Sequence, residues 1–253
     1  MISSKISWTE NTVNFWVGCN KVSPGCKYCY MHRMMEVWGK DPNYVRRVMD
    51  KTFHAALGWS DPRMIFTCSM SDFFIKDADD WRNDAWGVIR RTPQHKWQVL
   101  TKRIERVLGC LPPDWGNGYP NVWLGVSVEN QDYVYRIEEL AKIPAKIRFI
   151  SFEPLLGPID LRPLAEAGIM DHIHWGILGG ESGNETGKYR YRPCEIEWME
   201  DLADQLKTHG IKVFVKQLGT YQAKKLGLRD RMGSNLQEWP LSLKQLQIQE
   251  FPV

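Results

Sequence analysis

Short apolar runs recur along this chain, and each of them ends abruptly in polar residues. They cover residues 14–18, 64–67, 97–100, 122–126, 148–150, 173–178 and 213–215. Near-continuous apolar runs of this length are typical of strands buried on both faces, as in a parallel sheet. The pattern therefore predicts about six to seven parallel strands.

Helical patterns lie between the apolar runs. Trp81, Ala85, Val88 and Ile89 have the i, i+4, i+7, i+8 spacing of one helix face. A second stripe spans residues 196–206 and is closed by Gly210, where a left-handed cap would fall, and residues 133–141 form a third, shorter candidate. Strands that alternate with helices imply right-handed crossovers, and therefore an α/β fold that is either a parallel barrel or an open parallel sheet.

Polar residues follow the predicted strands, and in such folds the chemistry collects where the strands end. These residues are Ser69, Ser71 and Asp72, Lys102 and Arg103, Ser127 and Glu129, Ser151 and Glu153, Gly179, Gly180 and Glu181, and Lys216 and Gln217. All of them are expected to converge on one face of the fold, together with the cysteines that follow the first run.

Three cysteines lie close together in the loop after the first run. Cys19, Cys26 and Cys29 have the spacing C-x6-C-x2-C, and Tyr28 directly precedes the last of them. Three thiolates are one ligand short of the four that a structural zinc or an ordinary iron–sulfur cluster takes. One metal position would stay open, and a substrate or cofactor could be held and activated there.

Composition limits the class of protein. Six cysteines in 253 residues are too sparse for a disulfide scaffold, residues 1–11 are polar, and no apolar run approaches the ~20 residues that span a bilayer. The sequence thus predicts a cytoplasmic protein with reduced thiols and no membrane partner. A net charge of +3, from 33 basic and 30 acidic residues, neither establishes nor excludes a polyanion partner.

The last part of the chain differs in character. Residues 1–218 are expected to form the α/β barrel domain, whereas residues 219–253 lose the strand–helix rhythm and are rich in Gln, Leu and Lys. Because a segment of this length buries little hydrophobic core of its own, residues 219–253 are expected to pack on the barrel as a C-terminal extension. Its Trp239-Pro240 and Phe251-Pro252 pairs are candidates for a lid over the barrel mouth or a cover of an edge.

Nine short motifs of this chain resemble those of one family. They read WT, VGC, VSPGC, SMSD, LTKR, LGVSVE, SFEP, GGESG and FVKQ, and lie at residues 8–9, 17–19, 22–26, 69–72, 100–103, 124–129, 151–154, 179–183 and 214–217. Together they are similar to the phage and bacterial three-cysteine family of unknown function (phage Gp37/Gp68-like). That family resembles the radical S-adenosylmethionine (SAM) superfamily and is distantly similar to the spore photoproduct lyases. The usual superfamily loop is C-x3-C-x2-C, so the longer first gap is a departure that the narrower family shares.

The resemblance implies a partial or near-complete parallel (β/α) barrel of the radical SAM type and a probable enzyme. Cys19, Cys26 and Cys29 would hold a [4Fe–4S] cluster and leave one iron for the amino and carboxylate groups of SAM. Reduction by an external electron donor would then release a 5′-deoxyadenosyl radical, which abstracts hydrogen from a substrate. The cofactor carries that reaction, while the protein supplies orientation and exclusion of water.

The resemblance also suggests roles by position. Ser69, Ser71 and Asp72 would bind the methionine ammonium, Ser127 and Glu129 the ribose hydroxyls, and the Gly179-Gly180 backbone would lie along the adenosine. Tyr28 would lie beside the adenine, and Glu153 and Glu181 would complete the cofactor site. Lys102, Arg103, Lys216 and Gln217 are left for the methionine carboxylate or an anionic substrate.

Several alternatives stay open at this point. The implied substrate is a nucleobase in DNA or RNA that is modified or repaired, with a peptide or protein as the second choice. The loop could instead hold a structural zinc, completed by His32, in a non-catalytic nucleic-acid-binding module. A degenerate barrel that acts as a partner protein is a third class. Asp72, Glu129 and Glu153 could each be an ion-paired carboxylate at a strand–helix junction.

Overall fold

Six of the seven apolar runs form strands of a curled, all-parallel sheet in the computed structural model, which describes residues 4–252. The strands are β1 (Asn11–Val13), β2 (Trp16–Val17), β3 (Arg46–Arg47), β4 (Met64–Thr67), β5 (Lys96–Thr101), β6 (Val122–Ser127), β7 (Ile147–Phe152), β8 (Trp175–Gly179) and β9 (Lys212–Gln217). Seven of them pair in the order β1-β4-β5-β6-β7-β8-β9 and make a half-barrel. The predicted α/β partial barrel is therefore confirmed.

The first predicted strand is wrong in position. The apolar run at residues 14–18 does not enter the main sheet; its Trp16 and Val17 pair antiparallel with Arg47 and Arg46 in a separate two-stranded ribbon. The strand of the main sheet is Asn11–Val13, which pairs with β4 alone. A strand at the edge of a sheet has one neighbour and tolerates polar residues, so its sequence lacks the apolar run that marks the inner strands.

Eight α-helices accompany the strands within residues 4–252. They are α1 (Tyr30–Val37), α2 (Asp50–Phe53), α3 (Asp79–Arg90), α4 (Ile104–Val107), α5 (Tyr135–Ala141), α6 (Arg162–Glu166), α7 (Ile196–Thr208) and α8 (Thr220–Lys225). The three predicted helices correspond to α3, α5 and α7. Gly210 has φ +67° after α7, and its N–H donates to the carbonyl oxygen of Lys207 at 2.9 Å, so the predicted left-handed cap is confirmed.

The inner face of the half-barrel changes from apolar to polar along each strand. Its lower part is filled by a cluster of eight buried side chains, namely Trp8, Phe66, Trp123, Ile147, Phe149, Trp175, Ile177 and Phe214. Since alternate residues share one face of a strand, Ser127, Ser151 and Lys216 stand above this cluster on the same face. The packing closes one end of the barrel, and the polar residues are left at the end where the strands finish.

The C-terminal segment lies along the exposed edge of β9. The Glu250 N–H donates to the Val213 oxygen at 2.9 Å, and the Val215 N–H donates to the Ile248 oxygen at 2.8 Å. The Phe251 ring packs on Trp175, with ring centroids 5.4 Å apart, at the aromatic end of the barrel. The division of the chain at residues 218 and 219 stays a prediction.

None of the helices within residues 4–252 is long and apolar enough to cross a membrane.

Candidate functional site

The three cysteines lie on one loop between β2 and α1, at the end of the barrel where the strands finish. The loop leaves β2 at Gly18, which has φ +97° and packs so closely against the carbonyl of Tyr44 that a side chain would collide there. The Gly18 oxygen accepts a hydrogen bond from the Ser71 hydroxyl at 2.5 Å. The loop ends at Cys29, the residue directly before α1. Its entry is thus fixed to the residues that follow β4.

The thiols of this loop are free and half-buried. The Sγ of Cys19 lies 3.7 Å from Nη1 of Arg103, and the Sγ of Cys26 lies 3.6 Å from the Ser23 hydroxyl. Burial raises the pKa of Cys19 to about 12 and also raises the pKa of Cys29. Both thiols are therefore protonated at neutral pH until a metal ion displaces the proton.

The chemistry of these donors fits an iron–sulfur cluster, because soft cysteine thiolates are the ligands that hold such clusters. As the side chains stand, no three His, Cys, Asp or Glu side chains among residues 4–252 are arranged as ligands of a metal ion. His32, the fourth zinc ligand of the alternative hypothesis, is buried, and burial lowers its pKa. Binding of a cluster thus requires the three thiols to turn toward a common centre.

Asp72 is buried and fully engaged within the chain. Its carboxylate accepts hydrogen bonds from the Thr101 hydroxyl at 2.8 Å, the Lys102 N–H at 3.0 Å and the Phe74 N–H at 2.9 Å. Its Oδ2 also lies 3.1 Å from Nη1 of Arg103. Arg103 in turn donates to the Asn20 carbonyl at 2.7 Å. The predicted ligand of the methionine ammonium therefore holds the arginine that contacts the cysteine loop.

Glu129 is completely buried under the same loop. It accepts a hydrogen bond from the Ser23 hydroxyl at 2.5 Å and pairs with Lys102 at 2.9 Å and with Arg136 at 3.0 Å. Burial alone would raise the pKa of Glu129, but Lys102, Ser23 and Arg136 outweigh it and hold the pKa below the ordinary value. The carboxylate is thus ionised and occupied, and its neighbour Ser127 is buried beside it, with its carbonyl bound to Arg136 at 2.7 Å.

Glu153 and Lys216 form an ion pair at the inner face of the mouth. Oε1 of Glu153 lies 2.8 Å from Nζ of Lys216, and the Ser151 hydroxyl donates to Oε2 at 3.3 Å. A Cβ at Gly179 would lie 2.6 Å from Oε1, so the absence of a side chain there makes room for this carboxylate. The side chains of Glu153 and Lys216 are 15% and 26% exposed, so this pair is accessible from solvent, unlike Glu129.

Glu181 pairs with an arginine that the sequence analysis did not single out. Arg192 binds Glu181 through Nε at 2.8 Å and Nη2 at 2.5 Å, and its Nη1 donates to the Pro24 carbonyl of the cysteine loop at 3.0 Å. The guanidinium also lies over the Tyr28 ring, 5.2 Å from its centroid. Gln217 holds the neighbouring backbone, since its Nε2 donates to the Gly180 carbonyl at 2.8 Å.

Ser69 belongs to a tight turn after β4. The preceding Cys68 has φ +55°, a left-handed conformation that a residue with a side chain adopts rarely. The Ser69 carbonyl accepts from the Tyr30 hydroxyl at 2.5 Å, and its hydroxyl lies 3.3 Å from Nδ2 of Asn14. The turn therefore joins the start of α1 to the end of β1.

The structure brings the predicted site residues to one end of the barrel, but it pairs the cations there. Lys102, Arg103 and Lys216 are bound to Glu129, Asp72 and Glu153, respectively. Each positive charge predicted for an anionic ligand is thus balanced by a carboxylate of the chain. Residues that sequence reasoning missed are Asn14, Ser23, Tyr30, Arg136 and Arg192; of these, only Ser23 and Tyr30 had a signal, their place in or beside the cysteine loop.

Comparisons with known proteins agree with this fold. The model of the family described as protein of unknown function (DUF5131) matches residues 3–245. A solved structure of a spore photoproduct lyase mutant with bound AdoMet and dinucleoside spore photoproduct is similar, with a TM-score of 0.54 and 14% sequence identity over 86% of this chain and 78% of that chain. At this identity the likeness shows the fold alone. None of the curated proteins matches, and the phage Gp37/Gp68-like identity stays a prediction.

Proposed function

We propose a radical SAM function for this chain, which belongs to the DUF5131 family of proteins of unknown function. The observation that carries the proposal is the position of three free cysteines on one loop at the polar end of a parallel half-barrel. The similar fold of a spore photoproduct lyase mutant with bound AdoMet supports it. The chain would then be an enzyme.

Cys19, Cys26 and Cys29 would hold a [4Fe–4S] cluster through their thiolates. Bound with SAM and reduced by an external electron donor, such a cluster would supply radical chemistry at a C–H bond of a substrate. The chain's own contribution is to present three thiols on one half-buried loop, to orient SAM and to keep water away from the reacting atoms.

Glu153 and Lys216 are the residues best placed to bind the methionine end of SAM. They are an adjacent carboxylate and ammonium on the inner face of the mouth, and both are partly exposed. A zwitterionic amino acid carries the complementary pair of charges, so its ammonium fits Glu153 and its carboxylate fits Lys216. Tyr28, Ser69 and the Gly179-Gly180 backbone are left for the adenosine. Asp72, Glu129 and Glu181 are engaged within the chain and hold the site together.

The proposed substrate is a nucleobase in nucleic acid, and the charge distribution supports this choice. From residue 20 to residue 51 the chain has seven basic and three acidic residues, so the net charge of this segment, +4, exceeds the net charge of the whole chain, +3. Tyr30, Trp38 and Tyr44 in the same segment are each more than half exposed. Cations that follow a phosphate backbone and exposed aromatic rings that stack with bases are the features of single-strand binding surfaces.

Cleavage of SAM tests the proposal. Protein reconstituted anaerobically with iron and sulfide and then reduced should convert SAM to methionine and 5′-deoxyadenosine, slowly without substrate and faster with the correct one. Oligonucleotides and peptides would be compared as the added substrate. Stimulation by a peptide alone would replace the nucleic-acid substrate with a peptide substrate, and absence of any SAM cleavage from iron-loaded protein would contradict the radical SAM function.

A further inference from the structure

We propose that Glu129 is a positioning residue that fixes the cysteine loop before any cofactor binds. Sequence position alone suggests that Glu129 meets a cofactor hydroxyl, because it follows β6 at the mouth of the barrel. The structure places it instead under the loop, where it touches Ser23 and Gly25, two of the three residues that precede Cys26. The hydroxyl of Ser23 donates to Oε1 at 2.5 Å.

The side chain of Glu129 also packs closely against the backbone of the loop at Gly25. A Cβ at Gly25 would lie 2.5 Å from both Oε1 and Cγ of Glu129, so the loop backbone rests directly on the carboxylate. A glycine is required there, between Pro24 and the second cysteine. The hydrogen bond between Ser23 and Glu129 joins residues that are 106 positions apart in the chain. It therefore attaches the loop to the barrel, and not to residues next to it in sequence.

Two cations keep Glu129 in this place. Lys102 and Arg136 approach its two oxygens at 2.9 and 3.0 Å, and Arg136 is itself almost completely buried. Three donors, two of them cations, thus occupy most of the roughly four acceptor sites of this buried carboxylate. To reach a cofactor, it would have to leave the buried Arg136 and the half-buried Lys102 without their counter-charge, which is strongly unfavourable.

Glu129 is the central member of three similar attachments. Asp72, after β4, acts through Arg103 on the Asn20 carbonyl, and Glu181, after β8, acts through Arg192 on the Pro24 carbonyl. Glu129, after β6, reaches Ser23 directly. Three strand ends thus hold the loop at residues 20, 23 and 24, between the first and second cysteines. A loop held at these points approaches a metal with less conformational freedom to lose.

The clearest test removes the hydroxyl rather than the carboxylate. Glu129→Ala removes the counter-charge of the buried Arg136 and the half-buried Lys102 and destabilises the whole fold, whereas Ser23→Ala removes only a hydroxyl, with its contacts to Glu129 and to the Cys26 thiol, and leaves the ion pairs intact. Ser23 has the extended backbone (φ −147°, ψ 167°) that threonine also adopts, so Ser23→Thr restores the hydroxyl without strain. Ser234→Ala is the matched control, because Ser234 donates to the Asp230 carboxylate at 2.6 Å in the C-terminal segment.

Cleavage by trypsin measures the local opening of the loop directly, because the exposed Lys21 and Lys27 both lie within it. Cleavage at these lysines requires local opening of the loop, and its rate follows the population of the open form. In metal-free protein, Ser23→Ala should raise the initial rate of cleavage there by about tenfold or more, as expected for loss of a charge-assisted hydrogen bond. Ser23→Thr should restore the original rate, and Ser234→Ala should leave it unchanged.

Cleavage at the original rate in Ser23→Ala would overturn the proposal, and so would an equal increase in Ser234→Ala or a failure of Ser23→Thr to restore the rate. The loop attachment is independent of the proposed function; only its consequence for cluster binding rests on that function. Iron uptake by the unmodified protein tests the function separately, so failure of one conclusion is distinguishable from failure of the other.

Discussion

At the scale of single residues, the carboxylates after the strands show how far sequence reasoning reaches. Their place after β4, β6 and β8 predicted correctly that Asp72, Glu129 and Glu181 come together at one end of the barrel. Their partners could not be predicted, because Ser23 is 106 residues from Glu129 in the chain. Arg136 and Arg192 belong to no motif that distinguishes a buried arginine from a solvated one. A carboxylate at the end of a strand can equally well bind a ligand or pair with a cation of the chain, and only the three-dimensional structure shows which of the two it does.

Replacement of Glu129 should therefore lower stability strongly. Glu129→Ala leaves Arg136 buried and Lys102 half-buried without their counter-charge. Removing one partner of a buried ion pair typically costs about 3–5 kcal/mol of the free energy of unfolding. Glu129→Gln should cost less, because an amide oxygen still accepts hydrogen bonds from these cations. Urea unfolding of metal-free protein measures both values.

The control for this prediction is Glu139→Ala, since the side chain of Glu139 is 46% exposed and pairs with the exposed Lys142 at the end of α5. Loss of an exposed pair changes the free energy of unfolding by about 0–1 kcal/mol. A Glu129→Ala protein as stable as the control would show that the buried ion cluster contributes little, and that Glu129 is free for another role.

At the scale of secondary-structure elements, strands β4 to β9 and the long helices were predictable, whereas β1, at one edge of the sheet, was not. Strands β4 to β9 are buried on both faces, so each leaves an apolar run, and α3 and α7 leave the spacing of a packed helix face. β1 is at the edge and consists of Asn11, Thr12 and Val13, which carry no such signal. The apolar run at residues 14–18, which has the stronger strand signal, instead contributes β2 to the two-stranded ribbon that leads into the cysteine loop.

Helix α1 is the element most closely connected with the proposed substrate. It starts directly after the last cysteine, and the helix and its C-cap residue Trp38 carry exposed apolar residues at the spacing of one face, namely Tyr30, Met34, Val37 and Trp38. Trp38→Ala should weaken binding of a single-stranded oligonucleotide roughly tenfold, since stacking of one base on an aromatic ring is worth ~1–3 kcal/mol. Fluorescence anisotropy at low salt measures the affinity.

A matched substitution and salt dependence make this test specific. Leu241→Ala removes another exposed apolar side chain, 89% exposed in the C-terminal segment, and should leave the affinity unchanged. Binding should weaken with salt by a slope of roughly 0.7 per phosphate neutralised, hence about two or three for a few contacts. Equal affinities of the Trp38→Ala and unmodified proteins would remove α1 from the substrate surface.

At the scale of the whole molecule, the net charge does not show that basic residues are concentrated around the cysteines. The net charge of +3 is close to neutral, yet residues 20–51 hold seven basic and three acidic residues around the cysteines. The alternation of strands and helices identified the α/β class, because it depends on local periodicity alone. It left open a barrel or an open sheet, because curling depends on strand twist and on the aromatic packing inside. The attachment of residues 248–250 to β9 likewise depends on contacts that the sequence does not reveal.

The metal content of the cysteine loop tests the central claim most directly. Protein reconstituted anaerobically with iron, sulfide and zinc present together should hold about four iron atoms per chain, as a [4Fe–4S] cluster requires. Alanine at Cys19, Cys26 or Cys29 should remove the iron, whereas Cys110→Ala, at a half-buried cysteine outside the loop, should keep it. One zinc per chain in place of iron, or iron that survives loss of a loop cysteine, would contradict the account.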